Sequence, residues 1–273
     1  MIISTPFKRI SVAVAIIVCG IIAQAQTDRQ QLTPNFMQTN DDAHLRGGGE
    51  QYCAPVAASN ALVWLSENGF PRLLKNSADK SADQIKIIKT LGSNGFMNTS
   101  LSDGTGVGEF LIGVDKYIQQ CGYKKSTLAY QGWRKHPKNF STQMECPSLE
   151  WISRGLDGTT GVWINIGWYK TRKNNVFDRV GGHWVTVVGY GKNELGEYDS
   201  KSLVINDSSP RSGLDRAPVY VKVEQILDGK LTGKDNGLPK NAKGLYKMSG
   251  GLAVPTRADA AILDGVVVLQ MKN

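Results

Sequence analysis

Three residue types that cooperate in nucleophilic acyl chemistry occur in separate stretches of the chain: Cys53, His183 and the adjacent pair Asn206-Asp207. A thiol attacks carbonyls as its thiolate, so a cysteine matters most where its surroundings favour the anion. Cys53 follows Gly47-Gly48-Gly49 and opens a stretch in which Ala54, Ala57, Ala58, Leu62, Val63 and Leu65 recur at helical spacing. The first turn of a helix presents unpaired N–H groups and a partial positive charge, both favourable to a thiolate. The plainer reading of Cys53 is a small side chain buried under the alanine face, and a partner decides between the two. His183 is the candidate partner: it follows Gly181-Gly182 and starts the apolar run Trp184 to Gly189, whereas His44 and His136 lie in polar contexts. An antiparallel return would bring Asn206-Asp207 beside His183, where a side-chain oxygen accepts the imidazole N–H and fixes its tautomer. Side chains alternate along a strand, so one of the two faces the ring, and Asp207, at the strand end, is the expected one.

These residues need elements to hold them. Helices are predicted from Cys53 to the stop at Gly69, from Ala82 to Leu91, from Glu109 to Cys121, and over the short stretch Leu149 to Leu156. After that the pattern changes to strands: Gly161–Gly167, His183–Gly189, Ser202–Asn206, Val219–Val223 and Val266–Gln270. Helices before strands, without βαβ alternation, predict an α+β fold with an antiparallel sheet. Gly104-Thr-Gly-Val-Gly108 lacks the Lys-Ser/Thr of a phosphate loop and reads as the cap of the third helix.

The ends and the composition place the chain. Lys8-Arg9, the apolar run Ile10–Ile22 and Ala23-Gln24-Ala25 have the order of a cleaved signal peptide, predicting a secreted or periplasmic protein processed after Ala25. The apolar run is shorter than the roughly 20 residues of a spanning helix, so no stable membrane insertion is expected after cleavage. Residues 26–46 are polar and read as an extended arm, and residues 47–273 as one domain. Loss of Cys19 with the leader leaves Cys53, Cys121 and Cys146, an odd number, with a Cys121–Cys146 bridge plausible and Cys53 left over. The formal charge is +8 in 273 residues, but the cations fall in short scattered groups without interleaved aromatics, which argues against nucleic acid as a partner. Three histidines exclude a large His-built metal centre.

The segment Gln51-Tyr-Cys-Ala-Pro-Val-Ala-Ala-Ser-Asn-Ala-Leu-Val-Trp-Leu65 resembles the nucleophile helix of papain-like cysteine peptidases, closest to the bacteriocin-processing (double-glycine leader) peptidase group. Gly181-Gly-His-Trp-Val-Thr-Val-Val-Gly-Tyr190 is similar to that group's histidine strand, and Leu203-Val-Ile-Asn-Asp-Ser-Ser-Pro210 to its Asn-Asp-Pro strand, in the same order. The resemblance covers residues 51–210. It implies a papain-like fold, with the nucleophile at the N-terminus of a helix packed on a C-terminal antiparallel sheet. It further implies Cys53 as nucleophile, His183 as general base and acid, Asp207 as orienting residue, a peptide or protein substrate hydrolysed through a thioester, and neither cofactor nor metal. One position departs: six residues before the cysteine, where the family commonly has an oxyanion-hole glutamine, stands Gly47. Gln38 lies fifteen residues before Cys53; Gln51, two residues before it, with the Cys53 N–H, or else the amides of the glycine loop, are the candidate donors, with Asn206 a second orienting candidate. Two other activities fit the same residues: a transglutaminase-like acyltransferase, in which an amine resolves the thioester, and an inactive papain-like binding module.

Overall fold

The computed structural model describes residues 27–30, 32–75, 78–156, 158–233 and 239–272; the predicted leader, with Cys19, lies outside them. In chain order the elements are β1 (Thr27–Asp28), α1 (Cys53–Glu67), α2 (Lys80–Gly92), α3 (Val107–Gln120), β2 (Lys124–Gly132), α4 (Leu149–Gly155), β3 (Thr160–Arg172), β4 (Val176–Lys192), β5 (Tyr198–Asn206), β6 (Val219–Gln225), β7 (Lys230–Gly233), β8 (Lys240–Asn241), β9 (Tyr246–Gly250) and β10 (Ala260–Lys272).

Six of the strands form a closed antiparallel barrel: β3 pairs β4, β4 pairs β5, β5 pairs β6, β6 pairs β9, β9 pairs β10, and β10 returns to β3. This corrects the expectation of a papain-like α+β fold with helices packed on an antiparallel sheet. The architecture is mostly strand, and its sheet is a ring rather than a layer. Closure depends on pairs distant in sequence, such as Ala261 with Met248 and with Trp168, which no local pattern encodes. The long strands β4 and β10 run beyond the barrel and gain further partners: β10 pairs β2, and β4 pairs β1 and, in parallel, β7.

The continuous apolar runs of the second half follow from this arrangement. Residues 260–269 of β10 and 183–190 of β4 are buried without interruption, because one face looks into the barrel and the other is covered. Ile164, Ile166, Val185, Val187, Leu203, Ile205, Val221 and Leu263 share the barrel core, to which α4 adds Ile152 and Leu156. The opposite faces of β2, β3, β4 and β10 carry Leu128, Trp163, Trp184 and Leu269, which form a second core with α1 and α3.

Helix α1 is buried from Ala54 to Leu65, as expected of a helix apolar on every side. Its small residues let the backbone come close enough to the barrel for direct bonding. The Ala57 carbonyl accepts both the Trp163 Nε1–H and the Thr186 Oγ1–H at 2.8 Å, one donor from β3 and one from β4. Phe110 of α3 stacks on Trp184 with centroids 4.1 Å apart and meets Trp163 edge-on at 5.4 Å.

The predicted arm packs along the barrel where it is described. Arg29 is buried, donates to the carbonyls of Leu156, Gly158 and Thr160, and lies 3.9 Å over the Trp64 ring. Gln38 N–H bonds the Ser208 carbonyl at 2.9 Å, tying the arm to the strand end that carries Asp207.

Thr186→Val keeps the shape of the side chain and removes one donor to Ala57. It is expected to lower unfolding free energy by about 1 kcal/mol in urea titration. An unchanged midpoint would contradict the anchoring role given to this bond.

Candidate functional site

The chain enters α1 through a 3-10 turn, Arg46–Gly49, in which Gly47, Gly48 and Gly49 have φ of 60°, 63° and 79°. A Cβ on Gly49 would lie 1.7 Å from the Gln38 carbonyl oxygen, so this entry admits only glycine. Cys53 is the first helical residue, half-buried, with Tyr52 before it and Pro55 in the first turn. The leading amides of the turn have no intrahelical acceptor and point out of the helix start.

His183 and Trp184 take opposite faces of β4. Trp184 goes to the helices and donates Nε1–H to the Thr105 carbonyl at 3.1 Å, while His183 turns to the barrel rim and stacks on Trp168 with centroids 6.0 Å apart. At the end of β5 the same alternation separates Asn206 from Asp207. His183 Nε2 lies 2.6 Å from Asp207 Oδ1, with both side chains almost fully buried. An ionised carboxylate only accepts, so Nε2 carries the proton and Nδ1 is left for the thiol. Cys53 and His183 line the same cavity, of about 390 Å³.

Burial alone would disfavour a charged ring. The Asp207 carboxylate, by charge and hydrogen bond, and the Cys53 sulfur outweigh it, and His183 is held well above the usual imidazole range. Burial likewise pushes the Asp207 carboxyl up, but His183, the Ser209 N–H and Arg211 reverse the shift and lower it. The loop after Asp207 is fixed from several sides. Ser209 N–H bonds Asp207 Oδ1 at 2.8 Å, Ser212 Oγ donates to the Asp207 carbonyl at 3.0 Å, and the Arg216 guanidinium donates to that carbonyl and to Asn35.

The other candidates separate. Gln51 lines the cavity beside Cys53 and bonds no described residue, leaving its amide available as a donor. Asn206 faces away from His183 and donates to the carbonyls of Thr33 and Pro34 at 3.0 Å each, so it holds the arm rather than the imidazole. Gln38 is also engaged elsewhere, donating to the carbonyls of Gly49 and Glu50 and accepting from Ser208. The glycine-rich stretch caps α3 with Gly106, and Ser102 to Val107 form one wall of the cavity.

Arg134, Asn165, Arg179 and Arg257 also line the cavity, none of them a candidate site residue from the sequence. Behind Arg179 sits Asp264, fully buried, accepting from Arg179 Nε at 2.9 Å, Tyr169 Oη at 2.6 Å and Trp133 Nε1 at 3.1 Å. The one local signal was Asp264 itself, a lone carboxylate in the apolar run of β10. The suggested Cys121–Cys146 bridge is not formed. Cys121 packs with the helices, Cys146 lies under the sheet near Ala242 and Leu245, and all three described cysteines are free thiols.

Alkylation under denaturing, non-reducing conditions should therefore label Cys53, Cys121 and Cys146 alike, and a disulfide-linked pair of peptides would contradict this. Folded His183 keeps a proton that the unfolded ring loses above about pH 6.5, so stability should decline as pH rises from there. Folded Asp207 resists the proton that the unfolded carboxyl takes below about pH 4, so stability should decline there as well. In His183→Ala the decline above about pH 6.5 should flatten, read by urea unfolding across the range; an unchanged slope would remove the pair as its cause.

Comparison with protein-family models finds no match to this chain, and comparison with curated protein sequences finds none either.

Proposed function

We propose that the protein is an exported thiol hydrolase that cleaves a peptide or related amide bond through Cys53, His183 and Asp207. The observation that carries the reading is the buried 2.6 Å contact between His183 Nε2 and Asp207 Oδ1, in the cavity that Cys53 enters from a helix N-terminus. A carboxylate on one ring nitrogen leaves the other facing the nucleophile, the arrangement that nucleophilic catalysis needs. The likeness of the three segments to papain-like peptidase motifs supports the reading at the level of residues, without the papain-like fold. The leader pattern of residues 1–25 supports export.

In this mechanism the Cys53 thiolate adds to the substrate carbonyl while the proton rests on His183 Nδ1. The tetrahedral oxyanion takes hydrogen bonds from the Cys53 N–H and the Gln51 amide, donors of the kind whose removal typically slows turnover about 10²- to 10³-fold. Collapse breaks the C–N bond, the imidazolium protonates the leaving amine, and a thioester remains on Cys53. Water, deprotonated by His183, then attacks the thioester, releasing the acid and restoring the thiolate. Asp207 stays ionised throughout and holds the ring.

An acyl-reactive thiol probe followed by peptide mass mapping should place the label on Cys53 and leave Cys53→Ala unlabelled. Asp207→Ala should slow turnover on the order of 10²- to 10⁴-fold, the usual size of a general acid–base contribution, and Asn206→Ala far less. With an added amine, free acid should remain the main product; predominant amide would assign acyl transfer instead. No acyl adduct with any ester or amide probe would contradict enzymatic chemistry at this site.

A further inference from the structure

Three arginines line the cavity at Cys53, more than hydrolysis alone requires. Arg134, Arg179 and Arg257 reach it from the stretch after β2, from β4 and from the stretch before β10, and the acidic lining residue is Asp103, which accepts from Ser102. Two of the guanidinium groups are built into the approach to His183. A Cβ on Gly182 would lie 2.4 Å from an Arg179 Nη atom, and one on Gly181 would lie 2.7 Å from an Arg257 Nη atom. Neither glycine has a left-handed φ, and a side chain at either position would displace the guanidinium group beside it. Asp264 holds Arg179 by its Nε, with side-chain exposures of 7% for the arginine and 0% for the aspartate. Arg257 is exposed and makes no ion pair among the described residues.

A second observation concerns Asn165, which is 4% exposed and lines the same cavity. Its Nδ2 donates to the His183 carbonyl at 3.4 Å, and its Oδ1 is buried without a partner. A buried acceptor without a donor is costly, by roughly 1–3 kcal/mol, and a ligand N–H at this point would satisfy it.

The geometry points to a substrate that combines an amide N–H, accepted by Asn165 Oδ1, with a carboxylate next to it, held by Arg257: an acidic peptide, or the carboxyl end of a peptide. Guanidinium groups suit such a ligand because their planar donors match both carboxylate oxygens. This deepens the hydrolase reading by naming the substrate class and rests on that reading for the word substrate, while the anion site stands on the cavity alone.

The test measures binding in the Cys53→Ala protein, where no turnover intervenes. Four N-acetylated pentapeptides are titrated by calorimetry: pentaglycine as free acid and as amide, and amidated pentaglycine carrying glutamate or glutamine at its centre. At least one acid-bearing peptide is expected to bind about 10-fold or more tightly than its neutral counterpart, the size of a charged hydrogen-bond contribution. The glutamate and free-acid arms separate a side-chain from a terminal carboxylate. Arg257→Gln, at an exposed position that should not disturb folding, is expected to remove most of that preference. Equal binding of all four peptides, or a preference unchanged in Arg257→Gln, would overturn the proposal. Acid-selective binding without turnover by the unmodified protein would instead count against hydrolysis and leave the anion site in place.

Discussion

The Ala57 carbonyl, one turn after Cys53, is bonded by Trp163 from β3 and Thr186 from β4. These two hydrogen bonds to the barrel wall fix both the height and the rotation of α1 against β4, three residues along the strand from His183. A helix held only by apolar contacts can slide or turn by an ångström at little cost, and misplacement on that scale is enough to impair nucleophilic catalysis. The alanine face of α1 follows from the same requirement, because larger side chains would hold the helix off the barrel. The Cys53 thiol and the His183 ring thus come from different layers but share one rigid joint.

Charge organises the surroundings of that joint. Two buried carboxylates, Asp207 and Asp264, each face a cation from β4, His183 and Arg179 respectively. Each carboxylate has further donors, the Ser209 N–H for Asp207, and Trp133 and Tyr169 for Asp264, so that neither depends on its ion pair alone. Buried ion pairs recover their desolvation best when further donors satisfy the carboxylate, and the Asp264 pair has donors on both oxygens while Asp207 takes both of its donors on Oδ1. The arm belongs to this order too: through Asn206, Gln38 and Arg216 it holds the turn on which Asp207 sits.

Local chemistry is what the sequence makes legible. Three glycines ahead of Cys53 mark the start of α1, Gly106 the start of α3, and apolar periodicity the extent of α2, whereas the apolar runs mark only parts of the long strands β3, β4 and β10. The pair His183 and Asp207 is legible because strand, turn and strand place their ends together, and alternation distinguishes Asp207 from Asn206. Ring closure is not legible, since the β9–β10 and β10–β3 contacts join segments whose patterns are equally consistent with an open sheet. Strand β2 escaped for another reason: Lys124-Lys-Ser-Thr at its start is polar, and its burial comes from β10 and α3. Arg179 and Arg257 escaped because nothing near either arginine in sequence announces a cavity; only the glycines at 181 and 182 hinted at a close approach.

The most direct test of the Cys53–His183 pair is the pH dependence of Cys53 alkylation by iodoacetamide, compared between the native protein and His183→Ala. A ring nitrogen facing the sulfur takes up the thiol proton, so the native protein should react at least about 10-fold faster near pH 6 than the variant. Helix position survives the substitution and the histidine does not, so the difference isolates the pair. Superimposable profiles would contradict it, leaving His183 a buried strand histidine bonded to Asp207 and Cys53 a thiol without a base.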